Sequence, residues 1–240
     1  MRLALGDVHG RDFWKHPPSG DIEEYYITGD YFDSFTVPFN KQYRNFIELC
    51  AAARADSRIK LCLGNHDYQY MRGVLNQRYS GFQDAHSAGI MEILEKNVDL
   101  LNVLYVTSGP FIVSHAGVSV TFMEKMKKAG VKDLEGINRA FFEDRNILAF
   151  DGQDIYGDDV TQSPIWIRPD SLCRDAVPGY SQIAGHTQIE KIREIPLDEG
   201  RAVPAPRGRR AAPTIRPASP SSGRKLVLID TGDTPAFYRF

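Results

Sequence analysis

The stretch Leu61-Cys62-Leu63-Gly64-Asn65-His66-Asp67 is the part of the chain around which the rest is organised. A short apolar run beginning at Ile59 stops at the glycine, and an amide oxygen and an imidazole follow at once. An apolar run that ends at a glycine predicts a buried strand leading into a tight turn. Four other predicted strand ends carry similar side chains, which supports a functional interpretation of this stretch.

Two of these strand ends come earlier in the chain. Residues 3–5 and 25–27 are apolar and predict strands that run into Gly6-Asp7-Val8-His9-Gly10 and Gly29-Asp30-Tyr31-Phe32-Asp33. Asp7 and His9 are separated by one residue, so in an extended segment they share a face and can reach the same ion.

The other two come later, at Ser114-His115-Ala116-Gly117 and Gly185-His186-Thr187. Between the first strands, residues 40–54 repeat apolar side chains at three- and four-residue steps, which predicts a helix. Strand, helix and strand in this order predict right-handed crossovers in an α/β sheet. Further helices are expected over 90–97, 121–130 (Thr121 and Glu124 resemble a capping box) and 134–150, and further strands over 103–106, 111–113, 189–195, 226–229 and 237–240.

Composition restricts the class of protein. The chain has 240 residues, 42% of them apolar and 25% charged, with a net charge of -2, which fits one large globular domain over 1–240. This charge balance favours neither nucleic acid nor a membrane as a partner. Three widely spaced cysteines suit a reducing compartment, so a cytoplasmic location is expected. No apolar run approaches the ~20 residues of a membrane span, and the first strand leaves no room for a signal peptide.

Residues 199–225 differ from the rest because they are rich in Pro and Arg and poor in large apolar side chains. Such a composition predicts a flexible insertion between two strands. Its arginines could also hold an acidic partner or a phosphate, so both interpretations stay open.

Ligand-type side chains follow all five strand ends. In open α/β sheets, ligands collect at the carboxyl ends of the strands. Four of the six histidines lie in these clusters, and His16 and His86 are expected to be surface or structural residues. The candidate set is Asp7, His9, Asp30, Asn65, His66, His115 and His186.

The five motifs, in this order, resemble the motif series of calcineurin-like metallophosphoesterases. The segment Pro164-Ile165-Trp166-Ile167-Arg168-Pro169 adds a similarity to the phosphoprotein phosphatase branch, which contains serine/threonine phosphatases of bacterial and phage type. The resemblance spans the chain from Asp7 to Asp230 and implies a metallophosphoesterase-type βαβ sandwich, an α/β fold with two mixed sheets flanked by helices.

The resemblance also implies two divalent metal ions. Asp7 and His9 would hold the first, Asn65, His115 and His186 would hold the second, and Asp30 would bridge both. Carboxylate and amide oxygens mixed with imidazoles suit Mn, Fe or Zn better than Ca or a metal that prefers thiolates.

Catalytic roles are likewise implied by the resemblance. His66 would be the general acid oriented by Asp33, and the alternative is a histidine that only supports Asn65. Arg168 would bind the substrate phosphate, and the alternative is a surface ion pair. Ser34 departs from the phosphoprotein phosphatase branch, which usually carries an arginine there, and Arg11 or Arg72 could substitute for it. Trp166 is expected to pack in the core rather than to contact the substrate.

The expected function is hydrolysis of phosphate monoesters, first of all serine/threonine-type protein phosphatase activity, by attack of a metal-activated water with His66 as general acid. The partner would then be a phosphoprotein or a small phosphate ester. A dinucleoside polyphosphate or nucleotide hydrolase is the second hypothesis, because Tyr-rich residues 68–79 could stack on a base. An inactive metal-binding scaffold is the third, and a nucleic-acid phosphodiesterase is the least supported.

Overall fold

The computed structural model describes residues 1–75, 78–151, 154, 156–197 and 223–240. The strands of this part of the chain are β1 Arg2–Leu5, β2 Glu24–Ile27, β3 Ile59–Cys62, β4 Leu101–Asn102, β5 Leu104–Val106, β6 Phe111–Ser114, β7 Ser181–Ala184, β8 Arg193–Pro196, β9 Lys225–Leu228 and β10 Phe237–Arg239. The α-helices are α1 Phe39–Ala55, α2 Asn65–Tyr68, α3 Ser87–Lys96, α4 Val120–Lys128, α5 Gly136–Glu143 and α6 Pro169–Asp175.

The first sheet has the strand order β10-β1-β2-β3-β4. Strands β1 to β4 run parallel, and β10 pairs with β1 in the antiparallel sense. Leu5 lies beside Ile27, and Ile27 lies beside Leu61, so the three central strands end almost level. The loops after β1, β2 and β3 therefore leave the sheet together, at the carboxyl ends of these strands.

The second sheet has the order β5-β6-β7-β9-β8. Strands β6, β7 and β9 are parallel, while β5 and β8 are antiparallel to their neighbours at the edges. Ser114 lies beside Ala184 at the ends of β6 and β7. His115 and Gly185 follow these paired residues, so the two later motifs start next to each other.

The two sheets pack face to face through alternate residues of their strands. Ala4, Tyr26 and Cys62 of the first sheet share one buried cluster with Ile183 and Val227 of the second. Because successive side chains of a strand point to opposite faces, the intervening residues turn outward to the helices. Leu5, Ile27 and Leu61 accordingly pack with Phe46 and Leu49 of α1 and with Ile90 and Leu94 of α3.

The outer face of the second sheet is covered in the same way. Leu172 of α6 packs with Ala184, Leu226 and Leu228. The predicted α/β class, with two mixed sheets flanked by helices, is thus confirmed.

Several element boundaries differ from the sequence-based expectations. Helix α4 begins at Val120 because the Ser119 hydroxyl accepts a hydrogen bond from Phe122 N at 3.0 Å, so the predicted capping box at Thr121 and Glu124 is wrong. The strand expected over 189–195 is confined to β8. The helix expected over 134–150 divides into α5 and a 3₁₀ turn at Arg145–Leu148.

The Pro- and Arg-rich insertion predicted over 199–225 lies outside the described residues, except for its last three, of which Lys225 begins β9. No helix in the described ranges has both the length and the apolar composition needed to cross a membrane.

Candidate metal centre and active site

The loops after five parallel strands meet at one edge of the sandwich. His9 N donates to Asp30 O at 2.6 Å, and Gly185 N donates to His115 O at 2.8 Å, so neighbouring loops are joined by backbone hydrogen bonds. The two sheets are joined where His186 N donates to the Asp7 carboxylate, 2.9 Å from Oδ2. All seven candidate residues are brought to this edge. Ligand atoms of Asp7, Asp30 and His115 lie within 4.8 Å of one another.

The protons of His115 and His186 are fixed by backbone carbonyls. His115 Nδ1 lies 2.9 Å from Thr28 O, and His186 Nε2 lies 3.1 Å from Trp166 O. In a neutral imidazole, the nitrogen that faces a carbonyl carries the proton, so the opposite nitrogen presents a lone pair. Burial lowers the pKa of His115, and burial together with His115 and Arg168 lowers the pKa of His186 well below its usual range. Both rings are therefore neutral.

Three electron-pair donors therefore face one another, and none of the three atoms carries a hydrogen. His115 Nε2 and His186 Nδ1 lie 3.1 Å apart, and Asn65 Oδ1 lies 2.8 Å from the first and 3.0 Å from the second. Lone pairs that face one another at this distance repel, and a cation among them removes the repulsion. The donor set fits a divalent ion that accepts imidazole and amide oxygen.

A second group of donors lies on the other side of Asp30. His9 Nδ1 lies 2.6 Å from Phe32 O, which leaves His9 Nε2 as the free nitrogen. Asp30 Oδ2 lies 3.8 Å from that nitrogen and 3.5 Å from His115 Nε2. The carboxylate of Asp30 thus sits between the two groups, which is the position that a bridging ligand requires.

The electrostatics of the buried carboxylates also fit a cation. Burial and the nearby Asp230 and Asp30 raise the pKa of Asp7 well above its usual range. Burial alone would raise the pKa of Asp30, but His115, His66 and His9 outweigh it and lower the pKa. Buried like charges are costly unless they are paired or bound to a metal. Divalent ions would supply the compensating charge.

His66 has a different environment from the other histidines of the centre. Its Nδ1 lies 2.9 Å from Asp33 Oδ2, a carboxylate rather than a carbonyl, and its backbone N–H donates to Asp30 Oδ1 at 2.9 Å. Burial lowers the pKa of His66, but Asp30 and the hydrogen-bonded Asp33 raise it more, to about 9. At that pKa the ring carries its proton at neutral pH, the state from which an imidazole can donate a proton.

Asp33 is held by residues that the sequence did not identify. Its carboxylate accepts hydrogen bonds from Gln69 Nε2 and the Tyr70 hydroxyl, and from Gln83 Nε2 at 3.3 Å. Gln69 and Tyr70 follow His66 by three and four residues, which places them one helical turn along. That spacing is the one sequence signal from which their role could have been inferred.

Asp67 has a further role that the sequence does not reveal. Its buried carboxylate accepts hydrogen bonds from Asp30 N at 2.9 Å, Tyr31 N at 2.8 Å and Gly64 N at 3.1 Å. It therefore ties the loop after β2 to the loop after β3 and fixes the backbone of Asp30.

The backbone at the centre is strained. Among the described non-glycine residues, those with positive φ are His9 (42°), Asp30 (52°), Asp33 (62°) and His186 (60°). Left-handed conformations cost of order 1–3 kcal/mol at such residues and persist only where the surroundings impose them. All four belong to the predicted ligand and catalytic set. The orientation of these side chains is therefore maintained at a cost in folding free energy.

Two glycines allow the loops to approach closely. A Cβ atom at Gly64 would lie 2.1 Å from Asp30 Oδ1, and a Cβ atom at Gly185 would lie 2.0 Å from Asp7 Oδ1. Any side chain at either position would displace a carboxylate of the centre.

Arg168 lies at the edge of the centre. Its Nε donates to Tyr156 O at 2.9 Å, and its Nη1 donates to His186 O at 3.1 Å and Thr187 Oγ1 at 3.2 Å. It makes no hydrogen bond through Nη2 to the part of the chain that the structure describes. Trp166 is 7% exposed and packs against Tyr79 and Phe150, with ring centroids 4.3 and 5.1 Å away.

Two cavities adjoin at the centre. The larger, of about 530 Å³, is lined by the ligand-type side chains together with Arg168 and Trp166. The smaller, of about 220 Å³, is lined by Asp33, Arg11 and the segment Ser34-Phe35-Thr36. His9, His66, Gln188 and Asp230 line both. Of the two arginines considered as substitutes at Ser34, Arg11 lines the smaller cavity and Arg72 lines neither.

Comparison with known proteins agrees with this geometry. The sequence model of the family described as calcineurin-like phosphoesterase matches residues 3–190. The solved cold-active protein-tyrosine phosphatase of a psychrophilic Shewanella species is 18% identical, with a TM-score of 0.53 over 80% of this chain and 66% of that chain. Another structure of a cold-active protein tyrosine phosphatase is 17% identical, with a TM-score of 0.51 over 80% of this chain and 65% of that chain.

At these identities, the two structures show a shared fold. The chain spans about two thirds of the length of these relatives. No curated protein sequence matches it.

Proposed function

Because the chain belongs to the calcineurin-like phosphoesterase family, we propose that it is a metal-dependent phosphomonoesterase in which His66 is the general acid. The observation that carries the proposal is the contrast among the four histidines. Three have one nitrogen facing a carbonyl and the other turned to the centre, whereas His66 is paired with Asp33 and holds its proton.

The residues divide between two cations. Asp7 and His9 would hold one ion, Asn65, His115 and His186 the other, and Asp30 would contact both. A bound pair of divalent ions supplies Lewis-acid polarisation of the phosphoryl group and lowers the pKa of a water. The metals proposed are Mn, Fe or Zn, from the mixture of carboxylate, amide and imidazole donors.

Arg168 would bind the transferred phosphoryl group. The three hydrogen bonds to its Nε and Nη1 fix the guanidinium at the wall of the larger cavity. A guanidinium held in one orientation loses little entropy when its remaining Nη2 hydrogens bind phosphate oxygen. Binding there would orient the phosphorus with its leaving oxygen toward His66.

His66 would complete the reaction. As a water molecule adds to phosphorus and the bond between phosphorus and the leaving oxygen breaks, the Nε2 proton of His66 would pass to that oxygen, and the products are inorganic phosphate and an alcohol or phenol. Asp33 stabilises the imidazolium beforehand and fixes Nε2 in position. A well-placed general acid of this kind contributes ~10²–10⁴-fold to the rate.

The proposed substrates are phosphate monoesters on protein side chains. Resemblance to the phosphoprotein phosphatase branch supports phosphoserine and phosphothreonine, while the structural relatives are titled protein tyrosine phosphatases. A panel of phosphoserine, phosphothreonine and phosphotyrosine peptides with p-nitrophenyl phosphate, each with Mn, Fe, Zn or Mg, tests the proposal. We expect metal-dependent phosphate release that chelation abolishes.

A matched pair of variants makes the test specific. Asp30→Asn should lose metal-dependent turnover because the shared carboxylate becomes neutral, whereas Asp21→Asn, an exposed aspartate outside the centre, should behave as wild type. Folded, metal-loaded protein that releases no phosphate from any monoester would contradict the proposal and favour a metal-binding scaffold.

A second candidate is the hydrolysis of dinucleoside polyphosphates or nucleotides. Its support is the aromatic wall of the larger cavity, where Tyr79, Phe150 and Trp166 pack together and could stack on a base. Incubation with diadenosine tetraphosphate decides between the candidates, and the absence of nucleotide products would remove this one.

A further inference from the structure

The residue after Asp33 has a structural role that opens one side of the centre. The resemblance leads one to expect an arginine here, but the residue is Ser34. Its Oγ accepts hydrogen bonds from Thr36 N at 3.3 Å and Val37 N at 3.0 Å, and so closes a tight turn. The turn leaves Phe35 80% exposed, the highest value among the large apolar side chains of the described residues.

Phe35 lines only the smaller cavity, which meets the ligand-rich cavity at His66, His9, Gln188 and Asp230. Asp33, which orients the His66 ring, lines only this smaller cavity, while Arg168 and most of the ligand set line only the larger one. In the proposed function, the phosphoryl group lies with the metal ligands and Arg168, and His66 protonates the leaving oxygen. The leaving group must then extend past His66 toward Phe35.

The charges around this cavity favour a neutral leaving group. Its lining contains the carboxylates of Asp33, Asp230 and Asp233 and one guanidinium, that of Arg11. Arg11 Nη1 donates to Asp233 Oδ1 at 3.0 Å, and Arg11 Nε donates to Val8 O at 3.0 Å, so this guanidinium already has partners. Protonated His66, which also lines the cavity, is paired with Asp33, so Asp230 and Asp233 carry one more charge than Arg11 offsets, and an anionic leaving group would be repelled there.

We infer that the cavity lined by Phe35, Thr36 and Arg11 is a leaving-group subsite that takes an uncharged aromatic ring, so that aryl phosphates are bound better than alkyl phosphates. The inference rests on the proposed function. A ring exposed to water gains by covering its face with another ring, and aromatic pairs add roughly three- to tenfold in affinity beyond the area they bury. Ser34 serves the subsite indirectly by holding the turn.

The subsite is tested by binding two phosphonates that cannot be hydrolysed. Benzylphosphonate replaces the ester oxygen of phenyl phosphate by CH₂, and ethylphosphonate offers the same anion without a ring. Calorimetry on Mn-loaded wild type should give tighter binding of benzylphosphonate. Phe35→Ala should weaken benzylphosphonate roughly three- to tenfold and leave ethylphosphonate unchanged.

Two further variants isolate the ring. Phe35→Leu keeps an apolar side chain and should retain only part of the preference, and Phe142→Ala, an exposed phenylalanine of α5 outside both cavities, should change nothing. Equal binding of the two phosphonates to wild type, or an equal loss of both in Phe35→Ala, would overturn the subsite.

Turnover of phenyl phosphate on the same preparations separates the two proposals. Ring-selective binding that depends on Phe35 without any phosphate release would keep the subsite and contradict the proposed function. Phosphate release by wild type with no ring-selective binding would keep the proposed function and overturn the subsite.

Discussion

Each of the four histidines of the centre has one ring nitrogen beside a hydrogen-bond acceptor of the protein. His66 differs from the other three in the kind of acceptor. His9, His115 and His186 each have a ring nitrogen beside a backbone carbonyl, and His66 has one beside the Asp33 carboxylate. A carbonyl fixes a neutral tautomer that can bind a metal, and a carboxylate stabilises the protonated ring. In the proposed function, a single hydrogen-bond acceptor therefore distinguishes the three ligand histidines from the acid.

His66→Asn provides the direct test at the residue scale. Asparagine keeps a polar side chain but cannot donate a proton, so we expect turnover to fall by ~10²–10⁴-fold while the folded protein keeps its metal content. His16→Asn, at an exposed histidine outside the centre, is the control. Unchanged turnover in His66→Asn would remove His66 from its catalytic role.

The pH dependence follows from the same residue. In the proposed function, the active form of His66 carries the proton, so kcat should fall as the pH rises through the pKa of His66, which Asp30 and Asp33 raise to about 9. Bound cations would offset the negative charge of Asp30 and so lower the pKa of His66. The alkaline limb, the pH range in which kcat falls, should therefore lie at or below about 9. A pH profile of kcat for wild type and His66→Asn checks this. An alkaline limb that persists in His66→Asn would assign it to another group.

The limits of sequence interpretation are visible around these residues. The metal-ligand candidates were recognisable because each follows a strand end in a short motif. The roles of Asp67, Gln69 and Gln83 were not, since their hydrogen bonds to other loops depend on how β2 and β3 are placed side by side.

At the scale of elements, the turns after β3 and β7 carry the tightest constraint. Gly64 faces Asp30 and Gly185 faces Asp7, each at a distance that excludes a side chain. These two glycines provide space for the carboxylates rather than flexibility of the turn.

Gly64→Ala and Gly185→Ala should therefore weaken metal binding, by roughly 10–100-fold, the usual effect of disturbing the surroundings of metal ligands. The control is Gly89→Ala in α3, where an added Cβ meets nothing within 4 Å and alanine favours the helix. Metal titration followed by thermal unfolding measures the effect. Folded Gly64→Ala and Gly185→Ala proteins with wild-type metal affinity would contradict it.

Elements with a clear period were predictable, and those defined by tertiary contacts were not. The helix over 40–54 appears as α1 because its apolar side chains recur on one face. The strand expected over 189–195 shrinks to β8, because pairing with β9 starts only at Arg193. The start of α4 was misplaced because Ser119 and Thr121 are both suitable N-caps, and only the structure shows which hydroxyl accepts the bond.

At the scale of the whole molecule, the centre exists only where the two sheets meet. Asp7 and Asp30 follow strands of the first sheet, and His115 and His186 follow strands of the second. The contacts of His186 N with Asp7 and of His115 with Thr28 O cross from one sheet to the other. Face-to-face packing of the sheets therefore assembles the site, which explains why no single motif was decisive in the sequence.

The central claim is that this junction holds two cations that share Asp30. The most direct measurement is anomalous X-ray scattering from crystals of the Mn-loaded protein. The account predicts two anomalous peaks, one beside Asp7 and His9 and one beside Asn65, His115 and His186, with the Asp30 carboxylate contacting both. A single peak, or peaks away from Asp30, would contradict it.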